Sequence, residues 1–167
     1  MSSIKEALIK FENDPYRGST EDYRLISAVA QPCGPEDMSR AWPGVVLPED
    51  VVAFWSVCRT AQLYVDIAYG QWGLELLDPW RSAERTREER MARPAEFLAN
   101  DLVIGAFIGD LELLVVAPSE PPERRILAAE PLDPRVDWPA AATNLASFLE
   151  KYFEAAGEKY WDPSARN

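Results

Sequence analysis

Asp110 and Glu112 stand two residues apart within the apolar run Leu102-Val-Ile-Gly-Ala-Phe-Ile-Gly-Asp110-Leu-Glu-Leu-Leu-Val-Val-Ala117. Residues two apart on a strand share a face, so the two carboxylates would point the same way. Such a pair can work as general acid and base, or hold a divalent cation. Two ligands are too few for a cation cage, and no third group of suitable type is spaced to join them. Asp110 directly after Gly109 is also ordinary hairpin chemistry, because Gly and Asp supply the backbone angles of a tight turn. The structural reading of the pair is preferred. A carboxylate-dependent hydrolase is the least favoured of three functional readings.

Other catalytic chemistry is limited by composition. The chain has no histidine, which excludes Ser-His-Asp and Cys-His catalysis and histidine-ligated zinc. Cys33 lies in a Pro/Gly loop without a neighbouring base, and Cys58 falls on an apolar helix stripe as a small core filler. No Gly-rich phosphate loop or nucleophile elbow occurs. The sequence calls for no cofactor and no metal.

A second group of residues has the chemistry of an interface. Tyr64, Tyr69, Trp72 and Trp80 gather around one expected hairpin, with Asp66, Glu75 and Asp78 among them. Trp and Tyr are favoured anchors in protein interfaces. With Asp110 and Glu112 they would make an acidic, aromatic surface; the alternative is that the rings close the core. Acidic residues number 28 against 17 basic, for a net charge of −11. That balance repels nucleic acid and anionic lipid, and it speeds encounter with a basic partner. Its plainest consequence is solubility.

The elements that must position these groups are legible in part. A length of 167 residues favours one domain, since domains run to about 100–200 residues. Ser3-Ile-Lys-Glu6 is a capping box, followed by Ile4, Ala7, Leu8 and Phe11 at helical spacing; Asn13-Asp14-Pro15 ends that helix. Residues 15–46 are expected to form an arm over the domain, with Tyr23–Ala30 as a strand or helical turn. Pro48, Glu49 and Asp50 open a second helix, which buries Val51, Phe54, Trp55 and Cys58. Leu63, Val65, Ile67 and Tyr69 alternate on one strand face, and Leu74–Leu77 returns after Gly70-Gln-Trp-Gly73. Residues 80–94 set Arg81, Arg85, Arg87, Arg90 and Arg93 against Glu84, Glu88 and Glu89, the pattern of a solvated helix. Arg124–Glu130 adds a strand. Leu145, Phe148, Leu149 and Tyr152 make the stripe of a last helix, with Gly157 at its C-terminal cap. The expectation is α+β: an antiparallel sheet of about four to six strands, with helices at the N-terminus, after Leu47 and at the C-terminus.

Three of these pieces, in order, resemble the SUKH superfamily, which contains a fungal cell-wall-synthesis regulator and many bacterial toxin-immunity proteins. They are Leu47-Pro48-Glu49 opening a helix that carries Phe54; Leu102-Val-Ile-Gly105 with Gly109-Asp110 and an apolar strand; and Ser147-Phe148-Leu149-Glu150-Lys151-Tyr152. The likeness spans most of residues 47–157. It departs at Cys58-Arg-Thr-Ala-Gln62, where family members usually carry an Asn-Gly-rich turn. The resemblance implies an α+β fold, a binding role and no cofactor.

The reading that results is a non-catalytic protein-binding module, foremost an immunity protein that occludes the active site of a basic toxin such as a nuclease. Its expected contact residues are Tyr64, Asp66, Trp72, Glu75, Asp78, Trp80, Asp110 and Glu112. The second reading is a regulatory or scaffold protein without a toxin partner. Nucleic acid and membrane are not expected partners, and a second copy could pair along a sheet edge. Two cysteines that form no CxxC unit and no disulfide framework, the lack of an apolar run of about 18 residues or more and a start without a signal-peptide core suit the cytoplasm.

Overall fold

Local chemistry is most explicit at the first helix. Ser3 Oγ accepts from the Glu6 N–H at 3.2 Å, and Glu6 Oε2 accepts from the Ser3 N–H at 3.0 Å. The reciprocal cap starts α1 (Ile4–Asn13), which buries Ile4, Ala7, Leu8 and Phe11. The computed structural model describes residues 2–20 and 23–166. After α1 come β1 (Tyr16–Thr20), β2 (Tyr23–Val29), α2 (Pro35–Ala41) and α3 (Glu49–Val57). The middle of the chain forms β3 (Ala61–Asp66), β4 (Leu74–Leu76), α4 (Pro79–Ala92), β5 (Leu102–Phe107) and β6 (Leu113–Val116). The chain closes with β7 (Ile126–Ala129), β8 (Ala140–Ala142) and α5 (Leu145–Glu154).

The fold is α+β, as expected. Among the described residues eight strands form one sheet in strict chain order, each antiparallel to the next. The count exceeds the expected four to six partly because residues 15–46 are not an arm. Tyr16–Val29 is a hairpin within the sheet, and β2 pairs with β3 from Leu25↔Asp66 to Val29↔Ala61. Pro35–Ala41 is a short helix.

The sheet is covered on both faces over β5, β6 and β7, so their apolar runs do not alternate. One face carries Ile104, Leu114, Val116, Ile126 and Ala128 into a large core shared with α1, α3 and α5. The other carries Val103, Leu113, Val115, Leu127 and Ala129 under Phe97 and Trp138. Those two rings come from loops. Arg135 holds the loops together by donating to Asp101 Oδ1 at 3.1 Å, to Glu120 Oε1 at 2.8 Å and to the Glu96 carbonyl at 2.9 Å. Arg93 and Arg135 lie over the Trp138 ring at 5.4 and 5.5 Å, within cation–π range.

The charged helix α4 is not wholly solvated. Ser82 and Thr86 are buried on it, four residues apart. Ser82 Oγ donates to the Val103 carbonyl at 2.6 Å, and Thr86 Oγ1 accepts from the Val103 N–H at 2.9 Å. These hydroxyls pair both backbone groups of Val103, so a buried donor and acceptor are satisfied without a strand partner. No helix among the described residues is long and apolar enough to cross a membrane.

Candidate binding surface

The irregular strand β3 decides where the expected contact residues go. Ile26 faces Val65 while Ala28 faces Gln62, so β3 carries one extra residue between these pairs. Tyr64 sits in that bulge with a left-handed backbone, φ 53°. A bulge reverses which side chains face inward. Leu63 and Tyr64 are both buried, and so is Asp66, while Ile67 and Tyr69 are exposed. The single face expected for Leu63, Val65, Ile67 and Tyr69 is therefore broken: Leu63 is buried, Val65 half-buried, and Ile67 and Tyr69 exposed.

Tyr64 is a core residue rather than a surface anchor. Its ring meets Phe11 and Tyr152 edge-on, with centroids 5.5 and 5.6 Å apart. Its hydroxyl donates to the Phe153 carbonyl at 3.2 Å. Asp66 is also inside, and its Oδ1 accepts from the Ala68 N–H at 2.9 Å and the Tyr69 N–H at 3.2 Å. It shapes the turn instead of meeting a partner.

The remaining residues split between the two ends of β4. At the end where β4 leaves the sheet, Asp78 caps α4 by accepting from the Arg81 N–H at 2.9 Å. Glu75 pairs with Arg81 across that corner. Trp80 is 44% exposed there. Trp72, at the other end, is half-buried and donates through Nε1 to the Gly157 carbonyl at 3.2 Å. The structure thus makes no single acidic-aromatic face from these residues.

Asp110 and Glu112 do converge, on a partner that sequence spacing did not reveal. Both bond to the Lys159 ammonium, Glu112 Oε2 at 2.6 Å. Glu112 Oε1 also accepts from Trp161 Nε1 at 2.9 Å, and Asp110 Oδ1 accepts from the Glu112 N–H at 3.0 Å. Lys159 Nζ lies 5.0 Å from the Phe107 ring centre and 5.6 Å from that of Trp72. Burial works against the Lys159 charge, but bonding to the two carboxylates outweighs it and raises its pKa. The assembly clamps the segment after α5 onto the β5–β6 turn. With its acids neutralised and bonded, the pair acts as a brace, and Glu112 is buried rather than surface-exposed. Nearby, burial and repulsion from Glu112 raise the pKa of Glu130.

The exposed feature beside this clamp is a pair of abutting turns, 67–73 and 108–112. The Ile108 N–H donates to the Gly73 carbonyl at 2.8 Å and joins them. They pack so closely that a Cβ on Gly109, at φ +95°, would stand 1.9 Å from the Gln71 carbonyl oxygen. Ile67, Tyr69 and Leu111 are 61%, 71% and 70% exposed on these turns, with Asp110 among them. The sequence puts Tyr69 among the interface aromatics but singles out neither Ile67 nor Leu111 as exposed, because period-two alternation hides a bulge; the glycines at 70, 73 and 109 were the available signal.

Fold and surface together define an α+β antiparallel meander with a clamped C-terminal segment and an apolar tip. No family model matches the chain, and no curated protein matches it either.

Proposed function

We propose that this chain is a protein-binding module that neutralises a basic enzyme, in the manner of the immunity proteins of the SUKH superfamily. The observation that carries the reading is the tip: three large apolar side chains exposed together on two interlocked turns. Apolar groups held outward on a rigid support are what a partner's surface buries on docking. The net charge of −11 supports a basic partner, because opposite charge raises the association rate. The mechanism is occlusion. The tip covers the basic cleft of the toxin and excludes its substrate, in the cytoplasm of the cell that makes both.

The test is co-expression of this chain with toxins encoded beside its own gene, scored by survival, with binding measured on purified proteins. Wild type is expected to rescue and bind. Tyr69→Lys and Leu111→Lys, both at exposed positions, are expected to lose rescue while melting like wild type. Survival unchanged by both variants would move the interface away from the tip. The lack of any rescue or binding by wild type would end the immunity reading.

A further inference from the structure

The apolar tip carries charge along one flank. Asp110 and Glu112 bracket Leu111, which is 70% exposed. The β6–β7 ladder runs as far as Leu113↔Ala129. One residue further along both strands, Glu112 and Glu130 stand across from each other at the tip end of the sheet. Like charges directly opposite on neighbouring strands repel. Burial first and Glu112 second raise the Glu130 pKa, Asp110 and Asp133 add to the repulsion, and Lys159 relieves part of it.

The other charged groups here are already committed. The Lys159 ammonium bonds to Asp110 and to Glu112 Oε2. The second Glu112 oxygen accepts from Trp161 Nε1 at 2.9 Å. Asp110 gives one oxygen to Lys159 and the other to the Glu112 N–H. Glu130 differs. It is half-buried, and among the described residues its carboxylate takes no hydrogen bond and no ion pair. A carboxylate with both oxygens unbonded matches a guanidinium, which offers two parallel N–H groups to the two oxygens.

We infer that Glu130 is a specificity-determining residue of the tip: it receives an arginine of the docking partner, while Leu111 enters the apolar contact beside it. The inference rests on the reading of the tip as the docking surface, and it names what the partner presents there, a guanidinium next to an apolar recess. Charge complementarity selects this occupant. Glu130 itself, Glu112, Asp110 and Asp133 set four acids against the single cation Lys159. The flank stays negative, so a partner's cation is drawn in and removes the Glu112–Glu130 repulsion. A second copy of this chain, itself at −11, is repelled. The ammonium of a lysine makes a weaker match, because it is a point charge and does not pair in parallel with two oxygens.

The experiment is an NMR titration of the full chain with acetylated, amidated peptides. The probes are leucine–arginine–leucine and the same peptide with citrulline or lysine in place of arginine. The observed signals are the Glu130 side-chain carboxyl carbon and the Leu111 methyl groups. The arginine peptide is expected to move both with saturation and to lower the pH at which Glu130 titrates, because a bound cation favours the ionised form. Citrulline keeps the shape without the charge and should leave the Glu130 signal in place; lysine should bind more weakly than arginine. Glu130→Gln should weaken the arginine peptide about fivefold, the worth of one partly exposed charge pair, while melting no lower than wild type. Unshifted signals, a citrulline or lysine peptide equal to the arginine one, or unchanged affinity in Glu130→Gln would each overturn the inference. The titration needs no toxin. An arginine-specific response in a chain that fails to rescue cells would end the immunity reading alone, and rescue without that response would end this inference alone.

Discussion

A buried charge is stable only in company, and Glu112, Asp110 and Lys159 keep that company across 47 residues of chain or more. Removing one carboxylate would leave the half-buried ammonium underpaired, which is why the pair reads as a brace. Glu130 is the neighbour that Lys159 compensates only in part. Its folded pKa is raised by burial first and by Glu112 next. A carboxyl with a raised folded pKa favours folding in its protonated form, so it contributes stability below its unfolded pKa and loses it as pH climbs through the folded value. Glu130→Gln should therefore raise Tm at pH 7, and the gain should vanish near pH 4. Thermal melts of both proteins across that range check it; an equal offset at both pH values would remove the electrostatic cause.

Elements in this fold are locked by a few backbone positions rather than by propensity. The bulge in β3 turns Tyr64 into the core, and the end of α5 must then pass directly over it. Gly157 allows this: at φ +86° a Cβ would meet Tyr64 Cβ at 2.8 Å. The Gly157 N–H also donates to the Tyr152 carbonyl at 3.1 Å and finishes the helix. Gly157→Ala combines left-handed strain with a clash against a buried ring. It should cost about 1–3 kcal/mol. Urea denaturation would measure this, with an unchanged midpoint showing that the contact relaxes freely. Much of this scale was legible beforehand. The capping box of α1, the opening of α3 at Glu49-Asp50 and the Leu145, Phe148, Leu149 and Tyr152 stripe of α5 are local patterns, and local patterns survive folding. The bulge was not legible, because one extra residue in a strand leaves no mark on composition.

At the scale of the molecule, charge and shape act together. A net charge of −11 produces a field that reaches a partner before contact, and salt shortens that reach to about 8 Å at physiological ionic strength. In the proposed complex, association with a basic toxin should slow as salt rises, while dissociation, set by the apolar contacts of the tip, should change little. Stopped-flow or surface-based kinetics at two salt concentrations separate these; a salt-independent association rate would show that net charge plays no part in docking.

The sequence by itself determined the α+β class, the helix termini, the strand-rich middle and the lack of histidine chemistry, because each depends on neighbours in the chain or on composition. Tertiary structure alone decided that Asp110 and Glu112 meet Lys159, that Tyr64 and Asp66 lie inside, and that Ile67, Tyr69 and Leu111 share one tip. It also set Glu130 across from Glu112 beside that tip. Those outcomes depend on sheet register and on contacts between distant segments. Free energy assigns these through packing and pairing that no local spacing records.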